Sequence, residues 1–477
     1  MLLPEVARYL NSHRDEHLAG LMEFLRLPSI ANVRDRTPDG CQQAAEWLLA
    51  RVKALGMVGR LLADEGRPNV IAESPGAMPG AMLPRVREAE ACDRDRPTVL
   101  FYGHYDVQPP DPLDLWTSPP FEPAVRDGWL YARGASDNKG QLFAVLCAIE
   151  AWQKAGGGLP VNVKLFLEGE EEIGSPHLEA FIAAHRDLLK ADAIIVSDSA
   201  FFADGVPSIA RALRGLVYFQ ITVSGPAADL HSGSHGGAAP NPINALARLL
   251  AGMHDAEGRV TIPGFYDNLR PVPPEERTAW ALLPFDEAQY AKDLGVCALA
   301  GGEKGLPALE RLWVRPTLDA NGIVGGYTGP GTKTVIAARA SAKVSCRLVP
   351  DQDPGKIVAG MKRYLDEHSP SGCRVEVQVL TRARPVLLRQ DAPGMAQSVA
   401  ALEEAFGKKP VMVRFGASVP IAELFQRLLG TDPVLMGFGL PEDNIHSPNE
   451  RMRLDQFYRG AAASAALLQN ARASGLK

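Results

Sequence analysis

The sequence predicts an α/β domain built on a mainly parallel sheet and interrupted by a smaller α+β domain. Three observations carry this expectation. The apolar runs TVLFYGHYDV (98–107), VNVKLFLEGEEE (161–172) and ADAIIVSDS (191–199) each end in acids or histidine and alternate with helical stretches. That is the pattern of strands joined by helical crossovers. Near residue 215 the pattern changes to the alternation of half-exposed strands, and after about residue 395 the first pattern returns, through VLMGFG at 434–439. At 477 residues the chain is long for a single core, so two domains are expected. Residues 1–214 and 395–477 would form the α/β domain and residues 215–394 the insert.

Each element follows in order. Residues 4–26 space Val6, Leu10, Leu21 and Phe24 as a helix does. A second helix covers 40–55, stopped by Gly56. NVIAES (69–74) reads as a strand. The stretch from Pro75 to Pro97 is rich in glycine, proline and charge and reads as a loop or an excursion at a sheet edge. Strand 98–107 is followed by the helix KGQLFAVLCAIEAWQ (139–153), with Leu142, Leu146, Ile149 and Trp152 on one face. In the insert, LVYFQITVSG (216–225) alternates as a strand and NPINALARLLAGMHD (241–255) is an amphipathic helix. Residues 260–315 are rich in proline and acid and give no element. Residues 332–350 read as two strands with a short break, 355–368 as a helix and 373–381 as a strand. No internal repeat is present.

Composition excludes several classes. Lys plus Arg total 50 against 56 Asp plus Glu, a formal charge of −6. Nucleic-acid binders carry a basic surplus or stripe, and surface-bound membrane proteins a polybasic one; neither partner is expected. No run approaches the ~18 apolar residues of a transmembrane helix. The start, MLLPEVARYLNSHRDEH, lacks the basic and apolar regions of a secretory signal. Six scattered cysteines without a C-x-x-C pair read as free thiols in a reducing compartment, which predicts the cytoplasm.

Some short patterns fail. There is no G-x-S-x-G elbow. GYTGPGTKT (326–334) misses the phosphate-loop pattern because Lys333 stands one position late. His13-Arg-Asp-Glu16-His17 matches a short zinc-protease pattern, but no third ligand is near in sequence, and a solvated charged helix face explains it as well.

One constellation succeeds. GHYDVQP (103–109), GASDNKG (134–140), EGEEEIGS (168–175), VSDS (196–199) and NIHSPNE (444–450) place ligand-type side chains at expected strand ends. Ligands of α/β sheets bind beyond the carboxyl ends of the strands. His104 and His446 can supply imidazoles, and Asp137, Glu172 and Asp198 oxygens. This set suits two divalent cations, zinc best, with manganese or cobalt as alternatives. Asp106, two residues from His104, shares its face and can fix the imidazole tautomer. Glu171 can take a proton from an activated water and pass it to a leaving amine.

These segments resemble those of the dinuclear zinc metallopeptidases, the family that includes carnosinase, the Cys-Gly dipeptidases, carboxypeptidase G, the aminoacylases and succinyl-diaminopimelate desuccinylase. The resemblance runs over nearly the whole chain and is strongest to the carnosinase and Cys-Gly dipeptidase branch, through GASDNKG, EGEEEIGS, DLHSGSHGG and CRLVP. It implies a zinc-peptidase catalytic domain interrupted by a lid and dimerisation domain. It implies that Asp137 bridges two metals, followed by a cis peptide. His104 and Asp198 would hold one metal, Glu172 and His446 the other, with Asp106 and Glu171 as orienting acid and general base. His231 would stabilise the oxyanion in the active site of the neighbouring subunit of a homodimer. Thr334, across that dimer, Arg347 and Ser418 would contact substrate, Arg347 through the terminal carboxylate, which a guanidinium fork can grip in bidentate fashion. Glu170, Glu171 and Glu172 are consecutive, and Gly174-Ser175 sets the register used here. No imidazole is expected at His235, which either touches substrate or faces solvent.

The expected activity is hydrolysis of the amide bond of a dipeptide with a free C-terminal carboxylate, through a hydroxide bridging the two metals. The alternative is an N-acyl amino acid deacylase with the same metal core. A metal-binding scaffold without catalysis would lack Glu171 or a ligand, and all seven central residues are present.

Overall fold

The computed structural model describes residues 1–32, 39–75, 96–416, 420–474 and 476. The chain divides into two compact units, one of residues 1–211, 388–413 and 420–477, the other of residues 212–387 with the short segment beginning at Arg414.

The first unit is built on a mixed sheet. Its strands lie in the order Val58–Leu62, Asn69–Glu73, Asn162–Glu168, Thr98–His104, Ala193–Val196, Val434–Leu435 and Ser208–Leu213. The four from Asn162–Glu168 to Val434–Leu435 run parallel. The outer pairings are antiparallel. The α/β class holds, with parallel pairing confined to the middle of the sheet. The reason is connection length. Helix Lys139–Ala155 supplies the crossover that parallel neighbours need, whereas only six residues separate Val58–Leu62 from Asn69–Glu73.

Strands Asn69–Glu73 and Asn162–Glu168 are buried along their whole length, which explains why most of their residues are apolar. Helices Pro4–Ser12, Arg14–Leu25, Gly40–Ala54, Lys139–Ala155 and Leu454–Ser474 contribute apolar faces to one core, with Phe24, Leu48, Phe143, Leu146, Val163, Leu165 and Leu467 fully or nearly fully buried. Trp152 donates its indole N–H to the carbonyl of Ala465 at 3.0 Å, tying two of these helices together. Asp39 caps its helix by accepting from the N–H groups of Cys41 and Gln42. The helical stretch expected over 4–26 is two helices, broken at His13, which ends the first and precedes the second with φ −109° and ψ 22°.

The second unit holds a four-stranded antiparallel sheet in the order Thr317–Gly325, Arg339–Leu348, Gly215–Ser224, Arg374–Ala383. Buried and half-buried residues alternate along Gly215–Ser224. Val217, Phe219, Ile221 and Val223 form its inner face and pack with Leu246, Leu249, Ile357, Met361 and Leu365 from helices Pro242–Gly252 and Pro354–His368. Both helices begin with proline after a capping Asn241 or Asp353.

Several strands escaped the sequence reading, among them Val58–Leu62, Ser208–Leu213 and Thr317–Gly325. Ser208–Leu213 is interrupted by Arg211. Thr317–Gly325 is an edge strand with little buried surface and a register shift between Ala320 and Gly322. Residues 260–315 contain helices Pro274–Ala281, Glu287–Asp293 and Ala308–Trp313, each too short to show a period. Among the described residues no helix is long and apolar enough to cross a membrane. Cys41, Cys147, Cys297, Cys346 and Cys373 are free thiols.

Candidate active site

The first unit gathers side chains from the carboxyl ends of its parallel strands. His104 ends Thr98–His104 and is fully buried. Asn162–Glu168 leads into a short 3-10 turn, Glu171–Ile173. Gly174 closes that turn at φ 82°, a left-handed conformation that favours glycine. Asp198 follows Ala193–Val196. Asp137 precedes helix Lys139–Ala155, and its peptide bond to Asn138 is cis. A Cβ at Gly140 would lie 2.0 Å from the carbonyl oxygen of Ala135, so glycine is needed where the helix meets this loop.

Two groups of ligand-type atoms result. His104, Asp137 and Asp198 form one; Asp137, Glu172 and His446 form the other. Asp137 belongs to both. Its Oδ1 lies 3.1 Å from Nε2 of His104, and its Oδ2 lies 2.9 Å from Nε2 of His446. Nε2 of His104 is 3.7 Å from Asp198 Oδ2, and Nε2 of His446 is 3.3 Å from Glu172 Oε2. On its other side, Nδ1 of His104 faces Asp106, 3.1 Å from the carbonyl oxygen and 3.4 Å from Oδ1. A proton on Nδ1 is donated there, so Nε2 is the nitrogen that would face a cation held among the acids.

Asp106, itself fully buried, accepts from the backbone N–H groups of Glu171 at 3.3 Å and Glu172 at 3.0 Å. Glu170 points elsewhere. It accepts from the N–H of Arg67 at 3.1 Å and pairs with Nδ1 of His177 at 2.7 Å. The first glutamate of the run therefore serves the scaffold.

Electrostatically the site is an excess of buried acid. Burial raises the carboxyl of Glu171 well above the usual range, and Asp198, Glu172 and Asp137 add to the rise, against the opposing pull of His104. Burial and the charges of Asp137 and Glu172 push Asp198 up to about 7. Burial opposes a charge on His104, but hydrogen bonds to Asp106 and Asp137 override it and raise the imidazole. Hydrogen bonds to Asp137 and Glu172 raise His446 to about 10. Burial would raise Asp137, yet its two imidazole partners hold it low. Four carboxylates share the pocket with two imidazoles, a charge pattern that divalent cations neutralise.

Two contributors lay inside the quoted motifs without being singled out. Asn138 accepts from the N–H of His104 at 3.2 Å and donates to the carbonyl of Ser197 at 2.6 Å and to Asp198 Oδ1 at 3.2 Å. Gln108 donates to Glu172 Oε2 at 2.9 Å. Neither amide titrates, so neither registers in a search for ligands or bases; their places beside Asp137 and Asp106 are the only signal.

The remaining candidates lie in the second unit. His231 sits in the two-residue strand Leu230–His231, paired with Val335. It is exposed, and its Nδ1 accepts from the N–H groups of Gly233 and Ser234 at 3.0 and 3.3 Å. Thr334 is its neighbour across the pair, accepting from the N–H of Ser232 at 3.1 Å. Arg347, half-buried near the end of Arg339–Leu348, pairs with Leu216 and Thr317 in the sheet. Burial lowers its guanidinium, partly offset by Asp319. His235 is exposed at the end of the short helix Ser232–His235. Ser418 lies outside the described residues. His13 stacks on Tyr9 at 3.8 Å and bonds its carbonyl at 2.9 Å, and His17 is buried; among the described residues they belong to no group of three metal-type ligands.

An α/β sheet with two ligand groups sharing one carboxylate at its strand ends defines the class: a metal-dependent hydrolase. The chain belongs to peptidase family M20/M25/M40, which matches residues 100–470, and is a metallopeptidase. It is 31% identical to the human Beta-Ala-His dipeptidase over 474 residues, 98% of this chain and 92% of that protein. It is 30% identical to the Cys-Gly metallodipeptidase of Candida albicans over 451 residues, 92% of this chain and 91% of that protein. Among solved structures, the M20 family metallo-carboxypeptidase Sso-CP2 from Sulfolobus solfataricus superposes with a TM-score of 0.83 at 34% identity, covering 96% of this chain and 100% of that one.

Proposed function

We propose that this protein is a dipeptidase that uses two divalent cations to hydrolyse the peptide bond next to a free C-terminal carboxylate. The single observation that carries the reading is Asp137, whose two oxygens face two different imidazoles while Glu172 and Asp198 complete the two groups. The donor set fits the metals: two imidazoles and three carboxylates, with the Nδ1 side of His104 already committed to Asp106. Zinc suits this mixture best, with manganese or cobalt as substitutes. Such a pair of cations, when bound, supplies Lewis acidity and an activated water.

The chain's own residues do the rest. Asp106 orients the His104 ring and holds the turn that carries Glu171 and Glu172. Glu171, whose carboxyl is raised by burial, accepts the proton of the attacking water and delivers it to the leaving amine. Arg347 binds the terminal carboxylate, and Thr334 with Ser418 contacts the substrate. His231 donates to the oxyanion, acting on the partner subunit of a homodimer. In this reading residues 1–214 and 395–477 form the catalytic domain, residues 215–394 the lid and dimerisation domain, and the enzyme works in the cytoplasm.

The names of the relatives favour a dipeptide over an N-acyl amino acid. A second reading, release of the C-terminal residue from longer peptides, is favoured by the likeness to a metallo-carboxypeptidase. One assay separates them. Purified protein loaded with zinc or manganese is offered dipeptides, tetrapeptides and N-acetyl amino acids. Free amino acids are expected from dipeptides; release only from the acetylated set overturns the proposal, and preference for tetrapeptides selects the second reading.

A further inference from the structure

We infer that Glu450 is a positioning residue whose carboxylate shapes the loop that presents Asp137, and so sets the spacing of the two ligand groups. The inference rests on the reading of Asp137 as a ligand shared by two cations.

Glu450 is completely buried, and both of its oxygens are in use. Oε1 accepts from the backbone N–H groups of Ser136 and Asp137, each at 3.0 Å. Oε2 accepts from the N–H of Gly134 at 2.8 Å and from Nη1 of Arg133 at 2.8 Å. Three peptide N–H groups within four residues thus converge on one carboxylate, in the manner of an anion-binding nest. Gly134 has φ 84°, a left-handed conformation that L side chains rarely adopt. The carbonyl of Glu450 also accepts from the N–H of Ala132 at 3.1 Å.

Arg133 extends the arrangement. Its Nη2 donates to the carbonyls of Pro109 and Ser447, at 3.2 and 3.3 Å. Three segments are therefore joined at one buried ion pair: 108–109 with Gln108, 133–138 with Asp137, and 444–450 with His446. Glu450 lies four residues beyond His446, in a segment where Asn444, His446 and Asn449 all have positive φ. Strained backbone of this kind persists where its surroundings over-determine it. Glu450 touches none of the candidate ligand side chains. Its effect runs through the peptide units that aim Asp137 at His104 and His446.

The test uses Glu450→Gln and Glu450→Asp in the full chain. The amide of glutamine turns a donor toward N–H donors, and aspartate shortens the reach by one methylene. Each variant is stripped of metal, melted, and titrated with Zn²⁺ or Mn²⁺ by calorimetry at a temperature where it is folded. Affinity at the shared site is expected to fall about 10- to 100-fold, the usual consequence of removing support behind ligands. At saturating metal, kcat is expected to fall while KM stays near wild type, with the aspartate variant the milder. A lowered melting temperature with unchanged metal affinity overturns the inference, because it assigns Glu450 a purely structural role. Failure of both variants to fold overturns it for the same reason. A wild-type protein that takes up no metal sinks the shared-ligand reading and this inference with it, whereas normal uptake by the variants sinks this inference alone.

Discussion

One carboxylate oxygen of Asp106 accepts a hydrogen bond from the backbone N–H of Glu172 at 3.0 Å. Asp106 lies just beyond the strand Thr98–His104, and Glu172 in the turn after its parallel neighbour Asn162–Glu168, where His104 pairs with Glu168. The bond fixes the turn relative to His104. It also separates the roles of three consecutive glutamates: Glu170 is turned to Arg67 and His177, Glu172 to His446, and Glu171 is left beside the acids of the site.

Replacing Glu171 by Gln keeps the volume and removes the base. General acid–base catalysis contributes about 100- to 10,000-fold, and kcat is expected to fall by that factor with metal uptake retained. Steady-state kinetics beside elemental analysis of the same sample checks this. Full activity in Glu171→Gln would end the assignment.

Removing the shared carboxylate is expected to cost both cations, because each group loses an oxygen. Asp137→Ala should bind little or no metal, whereas His446→Ala should retain the ion at His104 and Asp198. Stoichiometry measured after dialysis decides. Two ions still bound to Asp137→Ala would show that the acid is not shared.

A charge-assisted hydrogen bond contributes about 1.5–3 kcal/mol. Arg347→Met is therefore expected to raise KM for dipeptides about 10- to 100-fold. For substrates whose C-terminus is amidated, wild type and variant should be alike. An equal loss on both substrates would place Arg347 outside carboxylate recognition.

If His231 acts across a dimer, its loss and the loss of Glu171 complement each other. Inactive His231→Ala and Glu171→Gln proteins, mixed and allowed to exchange subunits, should regain activity, since one site of each heterodimer is intact. No recovery, with exchange confirmed by a size tag, places His231 in its own subunit's site or outside catalysis.

Asp443 gives a pH dependence apart from the ligands. Burial pushes its carboxyl up to about 7, against the hydrogen bonds it accepts from Ser136 and Leu440. The unfolded value is about 3.9, so between those pH values the folded chain holds a proton that the unfolded chain has released. This contribution to stability is complete below about pH 4 and is lost as pH rises through about 7. Asp443→Asn is expected to gain on wild type across this window, by at most about 4 kcal/mol. Urea unfolding of both proteins at pH 4.5 and pH 8 measures the gain, and a constant difference refutes it.

Much of this protein is legible in its residues taken alone. The strands at 98–104, 162–168 and 193–196 are mostly apolar because they are buried on both faces, and the chemistry-bearing residues lie at or just beyond the end of each. Ligand-type side chains declare themselves by residue type and by their place at strand ends. Short or irregular elements do not: Thr317–Gly325 buries too little to show a period, and the helices between 274 and 313 end before one develops.

Tertiary structure alone decided what joins those ends. Asn138 and Glu450 act through neutral amide groups and peptide N–H groups, which every sequence contains and which acquire direction only when the chain folds. Likewise, which of three adjacent glutamates faces the site depended on Arg67 and His177, residues distant or featureless in the sequence, claiming Glu170. Composition and pattern fix which groups are available. Convergent hydrogen bonds between residues far apart in the chain, 309 positions in the case of Asp137 and His446, fix where they point.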